Sequence, residues 1–508
     1  MTSQPRTIWN ISANVAGVIV NMISGLLVMP YLIGTLGSST YGLWILIGTF
    51  TGYFGVLDIG VPAAVGRLVA VHRARGEPEQ INSVMSTAFA ILLIVALIVC
   101  VATSVALTVF PVMFVVPPAH ALDVRYSLIL VGFNLALAFP TSIFSGFLWG
   151  FERFDLLNAI EIPALVLRTA LSMTAVSNAV PLTSLGVIVL VVSSLSAASK
   201  MVVCYKLSPT LQISFARVQG SRIREIFSIG GWMSVISWSR TLIPQIAPTL
   251  IGVRLGSGAV TIFTVARQLV VYANTFSISA TQVMTPRATT AYATSSVATQ
   301  RQLFIEGGKF AYALTVFFCG GLFCLGLPFL HWWQHGLQDA AYGPLLILML
   351  GESLPMSQWL TYSVMLGAGR QKSLALLALT EGAISLPLII GLIGKGGIAG
   401  VCVGVALPAF LARGVCQLLY GCQLARVSVN SYLRRVFLPV TLAAVPPIAA
   451  LYVAVAAVRP QSFGSVLALG VAYSILFAAV LTWAVLGYAR LKLMIATPAS
   501  LPEQHGDS

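Results

Sequence analysis

Long apolar runs alternate with short polar connections along this chain. Residues 91–110, 128–139, 310–330, 345–350 and 467–486 are almost purely hydrophobic. About 20 such residues span roughly 30 Å as a helix, the thickness of a bilayer's hydrocarbon core. Backbone polar groups in lipid must bond within their own segment, so these runs are expected to be helices. The pattern predicts membrane-spanning helices near 7–33, 41–70, 82–110, 124–149, 157–178, 183–205, 224–251, 257–284, 303–330, 341–367, 372–393, 397–424, 433–457 and 462–489. That is about fourteen, or twelve to thirteen if the pair flanking Pro181 forms fewer crossings. The expected fold class is an all-α integral membrane protein.

Composition agrees. Of 508 residues, 58% are hydrophobic and only 8% charged, against about 25% charged in soluble domains. A net charge of +14 raises the question of nucleic-acid binding. The basic residues are instead spread over alternate connections, so no nucleic-acid partner is expected. Arg73, Arg75, Arg153, Lys206, Arg217, Arg222, Arg224, Arg287, Arg301, Arg370, Lys372, Arg426, Arg434 and Arg435 fall on one side, with Arg6, Arg490 and Lys492 at the ends. Only Arg125, Arg254, Lys395 and Arg459 fall on the other. Positive residues stay inside, which predicts cytoplasmic N- and C-termini. Residues 7–34 are too long for a signal-peptide core and lack a clear cleavage site, so no cleaved leader is expected. The seven cysteines lack CxxC spacing, and neither a disulfide framework nor a metal is expected.

An internal repeat is visible. Pro30-Tyr-Leu-Ile-Gly34 followed by Leu36-Gly37-Ser38 is echoed by Pro248-Thr-Leu-Ile-Gly252 followed by Leu255-Gly256-Ser257. A weaker echo links Pro140, Ser145 and Gly150-Phe-Glu-Arg153 with Pro355, Ser363 and Gly369-Arg370. Copies six helices apart share orientation, a parallel repeat of a kind found in transporters. The predicted organisation is two pseudo-symmetric six-helix lobes plus two C-terminal helices. The first lobe is 1–206, a cytoplasmic linker 207–223, the second lobe 224–425, the extra helices 426–490 and a cytoplasmic tail 491–508.

Polar residues at bilayer depth are costly and commonly functional. Asn10, Asn14, Gly17, Asn21 and Ser24 recur at helical spacing on one face of the first helix. Ser234, Ser237, Thr241, Gln245 and Pro248 do so on the seventh, with Arg240 beside them. Thr264, Arg267 and Asn274 line one side of the eighth. Such stripes serve either helix packing or a wet lumen. The guanidinium fork suits phosphate, which makes Arg168, Arg240 and Arg267 candidates for an anionic substrate group, with Asn10, Asn14, Asn21 and Asn274 as lumen residues. Asp58, Glu161, Glu352 and Glu381 are candidates for carrying a coupling proton, because burial raises a carboxyl pKa. Arg413 is a further charge at depth. No P-loop, HExxH or GxSxG motif occurs, so neither enzymatic activity nor a cofactor is expected.

The stretch Asn14, Pro30-Tyr-Leu-Ile-Gly34, Leu36-Gly37, Tyr41-Gly42-Leu-Trp44, Leu57-Asp58-Ile-Gly60, Arg67 and Gly150-Phe-Glu-Arg-Phe-Asp155 resembles polysaccharide flippases of the Wzx type. These belong to the multidrug/oligosaccharidyl-lipid/polysaccharide exporter (MOP) superfamily. The resemblance implies two six-helix bundles with two further helices. It also implies alternating-access flipping of an undecaprenyl-diphosphate-linked oligosaccharide across the bacterial inner membrane. Partners would be that substrate, membrane lipids and polysaccharide polymerase machinery. Related lipid II flippases hold the diphosphate with arginines partly on the first helix. This chain has no arginine between Arg6 and Arg67, so its site would use helices 5, 7 and 8. A multidrug or small-cation antiporter of the same superfamily is the alternative; it calls for an acidic lumen, whereas the charges at depth here are net basic.

Overall fold

The computed structural model describes residues 4–57, 60–176, 180–282 and 297–483, with the side chains of 4–15, 228–237, 240, 282 and 299 left aside. These residues are helical, without a strand among them. Nine stretches among them are long and apolar enough to cross a membrane. One face of the helix 78–113 shows what surrounds them. Ile94, Leu97, Val101, Val105 and Val112 recur at three- to seven-residue spacing and are 55–85% exposed. Such a continuous exposed apolar stripe is intolerable in water and natural against lipid tails. The protein is a multi-pass integral membrane protein.

The helices, in chain order, are α1 (Gln4–Gly52), α2 (Val61–Ala74), α3 (Pro78–Met113), α4 (Ala121–Gly150), α5 (Phe154–Thr174), α6 (Pro181–Leu207), α7 (Gly220–Leu255) and α8 (Ser257–Gln282). Beyond them lie α9 (Val297–Trp333), α10 (Tyr342–Ser357), α11 (Trp359–Gly367) and α12 (Gln371–Ala409). A π-helical segment, Phe410–Cys416, leads into α13 (Gln417–Leu424). The last helices among the described residues are α14 (Leu438–Val458) and α15 (Phe463–Leu481). They gather in two compact units, Met1–Tyr272 with Arg370–Pro408, and Ala273–Gly369 with Ala409–Ser508.

The two longest helices, of 49 and 39 residues, each break at a glycine. In α1 the break is Gly37, at φ 77° and ψ 159°; in α12 it is Gly397, at φ 55° and ψ −134°. Side chains avoid this backbone region. The sequence echo has a matching conformation: Gly256, the counterpart of Gly37, sits at φ 86° and ψ 171° between α7 and α8. The weaker echo matches too. Glu152 and Gly369 both have positive φ, and each is followed by one arginine and then a helix.

The second predicted span, 41–70, is not one helix. It is α-helical to Gly52, tightens to a 3₁₀ turn at Tyr53–Leu57 and resumes at Val61. Gly60 is left-handed, and Pro62 lies in the first turn of α2. The segment after α6 is stitched to the first turns of α3. The Asn82 carboxamide donates to the Thr210 carbonyl at 3.0 Å and accepts from the Gln212 amide at 2.9 Å. Ser83 donates to the Arg217 carbonyl, and Thr87 accepts from the Gln219 amide. Asn82, Ser83, Ser86 and Thr87 are all buried.

Candidate functional site

The α4–α6 group is assembled from both ends. At one end, the Asp123 carboxylate on α4 accepts from the amides of Leu182 (3.0 Å) and Thr183 (2.7 Å). A carboxylate on free amides at a helix N-terminus is favourable, so α4 supplies the cap of α6. At the other end the Cys204 thiol meets the Phe144 carbonyl at 3.5 Å. On α5, the turn residue Arg153 forks onto Asp155 at 2.9 Å from both its Nε and Nη2, which fixes where α5 enters.

Between these helices lies a cavity of about 260 Å³. From α4 it is lined by Asn134, Thr141, Ser142 and Ser145; from α5 by Glu161 and Arg168; from α6 by Ser193, Ser194, Ser196 and Lys200. At 1.5 Å per residue, Ser145, Glu161 and Lys200 lie about 8–10 Å from the shared end of their helices. Arg168, Asn134 and Ser193 lie about 21–24 Å along. Polar groups therefore line the cavity along its length, with Lys200 and Glu161 nearer that end and Arg168 deeper.

The Lys200 ammonium donates to Glu161 Oε1 at 2.7 Å, and the Ser196 hydroxyl to the same oxygen at 3.4 Å. Thr141 and Ser142 turn their hydroxyls onto carbonyls of their own helix. Asn134, Ser145, Ser193 and Ser194 make no hydrogen bond among the described residues, nor does the Arg168 guanidinium. With Lys200 and Arg168 against Glu161, the cavity carries one excess positive charge. It presents unspent amide and hydroxyl groups beside a free cation, the chemistry that receives an anionic, hydroxyl-rich group.

The other candidates are dispersed. Asn21 is exposed, and Arg267 and Asn274 are half-buried on α8. The side chains of Asn10, Asn14 and Arg240 lie outside the described set, as does Asp58. Glu381 is 5% exposed on α12. Glu352 on α10 takes a two-pronged bond from Arg413, at 3.1 Å and 2.5 Å. Arg413 stands in the π-helical segment, where Gly414 lies against Leu354. Part of the helix-7 stripe serves packing: Gln245 and Thr241 lie against Gly52 and Gly55, and Tyr53 bonds Thr249 at 2.9 Å.

Lys200 and the α6 serines are absent from the sequence-derived candidates. Their signal was present, since Ser193, Ser196 and Lys200 fall at i, i+3 and i+7, one helical face. A lysine seven residues inside the end of a span is the same anomaly that marked the arginines.

The comparisons with known proteins bear on what such a cavity serves. A family model described as "Polysaccharide biosynthesis protein" matches residues 8–291, more than half of the chain. The chain belongs to the polysaccharide biosynthesis protein family. The match covers the whole α4–α6 group. Among relatives of this family member, the uncharacterized membrane protein EpsK of Bacillus subtilis (strain 168) is 21% identical over 443 residues, covering 85% of this chain and 86% of its own. A Shigella flexneri protein named for O-antigen transport is 19% identical over 432 residues, covering 82% and 97%. The fold is like that of solved membrane transporters. The lipid II flippase MurJ in an inward closed conformation aligns with a TM-score of 0.70 at 12% identity, over 94% of this chain and 99% of that one. An inward-facing multidrug resistance MATE family transporter aligns at 0.68 and 14%, over 81% and 94%.

Proposed function

We propose that this polysaccharide biosynthesis protein is a flippase for an undecaprenyl-diphosphate-linked oligosaccharide in the bacterial inner membrane. The observation that carries the reading is the α4–α6 cavity, whose unpartnered Arg168 and hydroxyl-rich wall suit a phosphorylated sugar head. The names of the lipid II flippase and the O-antigen transporter relative point the same way. The lipid tail stays in the bilayer while the head crosses the polar interior. In this reading the chain makes fourteen crossings, with both termini cytoplasmic, as two six-helix lobes plus two helices, with boundaries at 1–206, 207–223, 224–425, 426–490 and 491–508. Movement is by alternating access, with polymerase machinery receiving the product and no chemical step on the substrate. Arg240, Arg267 and the asparagines Asn10, Asn14, Asn21 and Asn274 would complete the lumen, with Asp58, Glu161, Glu352 and Glu381 available to protons.

A closed seam supports the alternating-access element. Ser39 and Ser257 share a hydrogen bond at 2.9 Å, Thr261 donates to the Ser38 carbonyl at 2.6 Å, and Gly42 lies against the Ser257 carbonyl. These are the two copies of the repeated motif, meeting at the positive-φ glycines. The excess positive charge of the cavity disfavours the cation-antiporter alternative. Deletion of the gene is expected to accumulate lipid-linked oligosaccharide on the cytoplasmic side, restored by the wild-type chain and not by Arg168→Ala. Full restoration by Arg168→Ala would refute the site; absence of accumulation would refute the function.

A further inference from the structure

Resting on the flippase reading, we propose that Glu161 is a resident counter-ion, displaced from Lys200 when a phosphate or diphosphate ester enters the α4–α6 cavity. Two of the ion pairs within the helices differ in a telling way. In the Arg413–Glu352 pair both carboxylate oxygens are engaged, the geometry of a fixed bridge. In the Lys200–Glu161 pair both donors converge on Oε1, and Oε2 has no partner among the described residues. The partners also differ in burial: the Lys200 side chain is 14% exposed, that of Glu161 52%. The cation is set into the wall, and the carboxylate is the member free to leave.

What would replace it follows from charge and donors. Two cations, Lys200 and Arg168, face one carboxylate. A doubly charged phosphate ester offers more oxygens than a carboxylate and neutralises both cations. The long Lys and Arg stems reach along apolar walls, which lets them converge from depths about 10 Å apart. Ser193, Ser194 and Asn134 supply the remaining donors near the level of Arg168. Glu161 thus keeps the empty cavity from holding two uncompensated cations, and it competes with every anion that enters.

The test uses the full chain in phosphatidylcholine nanodiscs, with binding followed by native mass spectrometry. Probes are undecaprenyl diphosphate, inorganic pyrophosphate as competitor, and phosphatidylglycerol. Lys200→Gln is expected to weaken undecaprenyl diphosphate binding about tenfold. Glu161→Gln, which removes the competing charge at constant size, is expected to tighten it several-fold. Pyrophosphate should compete. Unchanged or weaker binding in Glu161→Gln would make the pair structural and overturn the inference, leaving the flippase reading in place; this arm decides alone if Lys200→Gln does not fold. An equal response of phosphatidylglycerol would assign the site to bulk anionic lipid and overturn it likewise. Failure of the wild-type chain to bind undecaprenyl diphosphate would overturn the flippase reading itself.

Discussion

A single methyl group at Gly42 is expected to pry apart the seam between α1 and the start of α8. Its Cβ would point into the Ser257 carbonyl, with the Ser257 Cα next in line at 3.1 Å. The obstacle is backbone, so no rotamer change relieves it. Ordinary van der Waals contact begins at 3.4 Å, and α1 and the start of α8 must separate to reach it. That separation stretches the Ser39–Ser257 hydrogen bond, now 2.9 Å, and the Thr261–Ser38 bond, now 2.6 Å. Overpacking of this kind costs about 1–3 kcal/mol. Charged to the closed state alone, it shifts the closed-to-open ratio by roughly 5- to 150-fold. The assay is pulsed electron–electron resonance between spin labels at Thr35→Cys and Arg254→Cys, on a background with the seven native cysteines replaced. Gly42→Ala should raise a longer-distance population. An unchanged distance distribution with unchanged thermal stability would refute the reasoning.

Other perturbations have defined outcomes. Asn82→Ala leaves the Thr210 carbonyl and Gln212 amide without their partner and should lower stability by about 2 kcal/mol, read as an earlier thermal transition in detergent. Arg413→Ala strands Glu352 at depth and should cost about 3 kcal/mol; the double variant with Glu352→Gln should be the more stable of the two in the same melt. Gly37→Ala forces a side chain into φ 77°, a cost of about 1–3 kcal/mol, and should reduce the yield of folded protein on size exclusion.

The helices were legible because a bilayer leaves few choices: an apolar run of sufficient length must be helical. The breaks were legible as well, through Leu36-Gly37-Ser38 and Leu255-Gly256-Ser257, since a repeated glycine signals a repeated backbone conformation. The interruption of the second span was harder to read. Gly52, Gly55 and Gly60 mark it, but glycine is also common in uninterrupted membrane helices. Partners were the least legible. Glu161 and Arg168 share a face of α5 by spacing, yet the carboxylate reaches across to Lys200 on α6, 39 residues away. Such a pairing depends on how α5 leans, which no local pattern encodes. The same holds for Glu352 and Arg413, brought together by the packing of a π-helical segment.

The central claim is that the chain moves a diphosphate-linked sugar head through its polar interior. Reconstitution in liposomes tests it most directly, with a fluorescent undecaprenyl-diphosphate oligosaccharide and a membrane-impermeant quencher. Wild-type protein should expose the inner-leaflet pool to the quencher over time, and Arg168→Ala should do so at a rate at least about tenfold lower. A wild-type rate equal to that of protein-free liposomes would contradict the account.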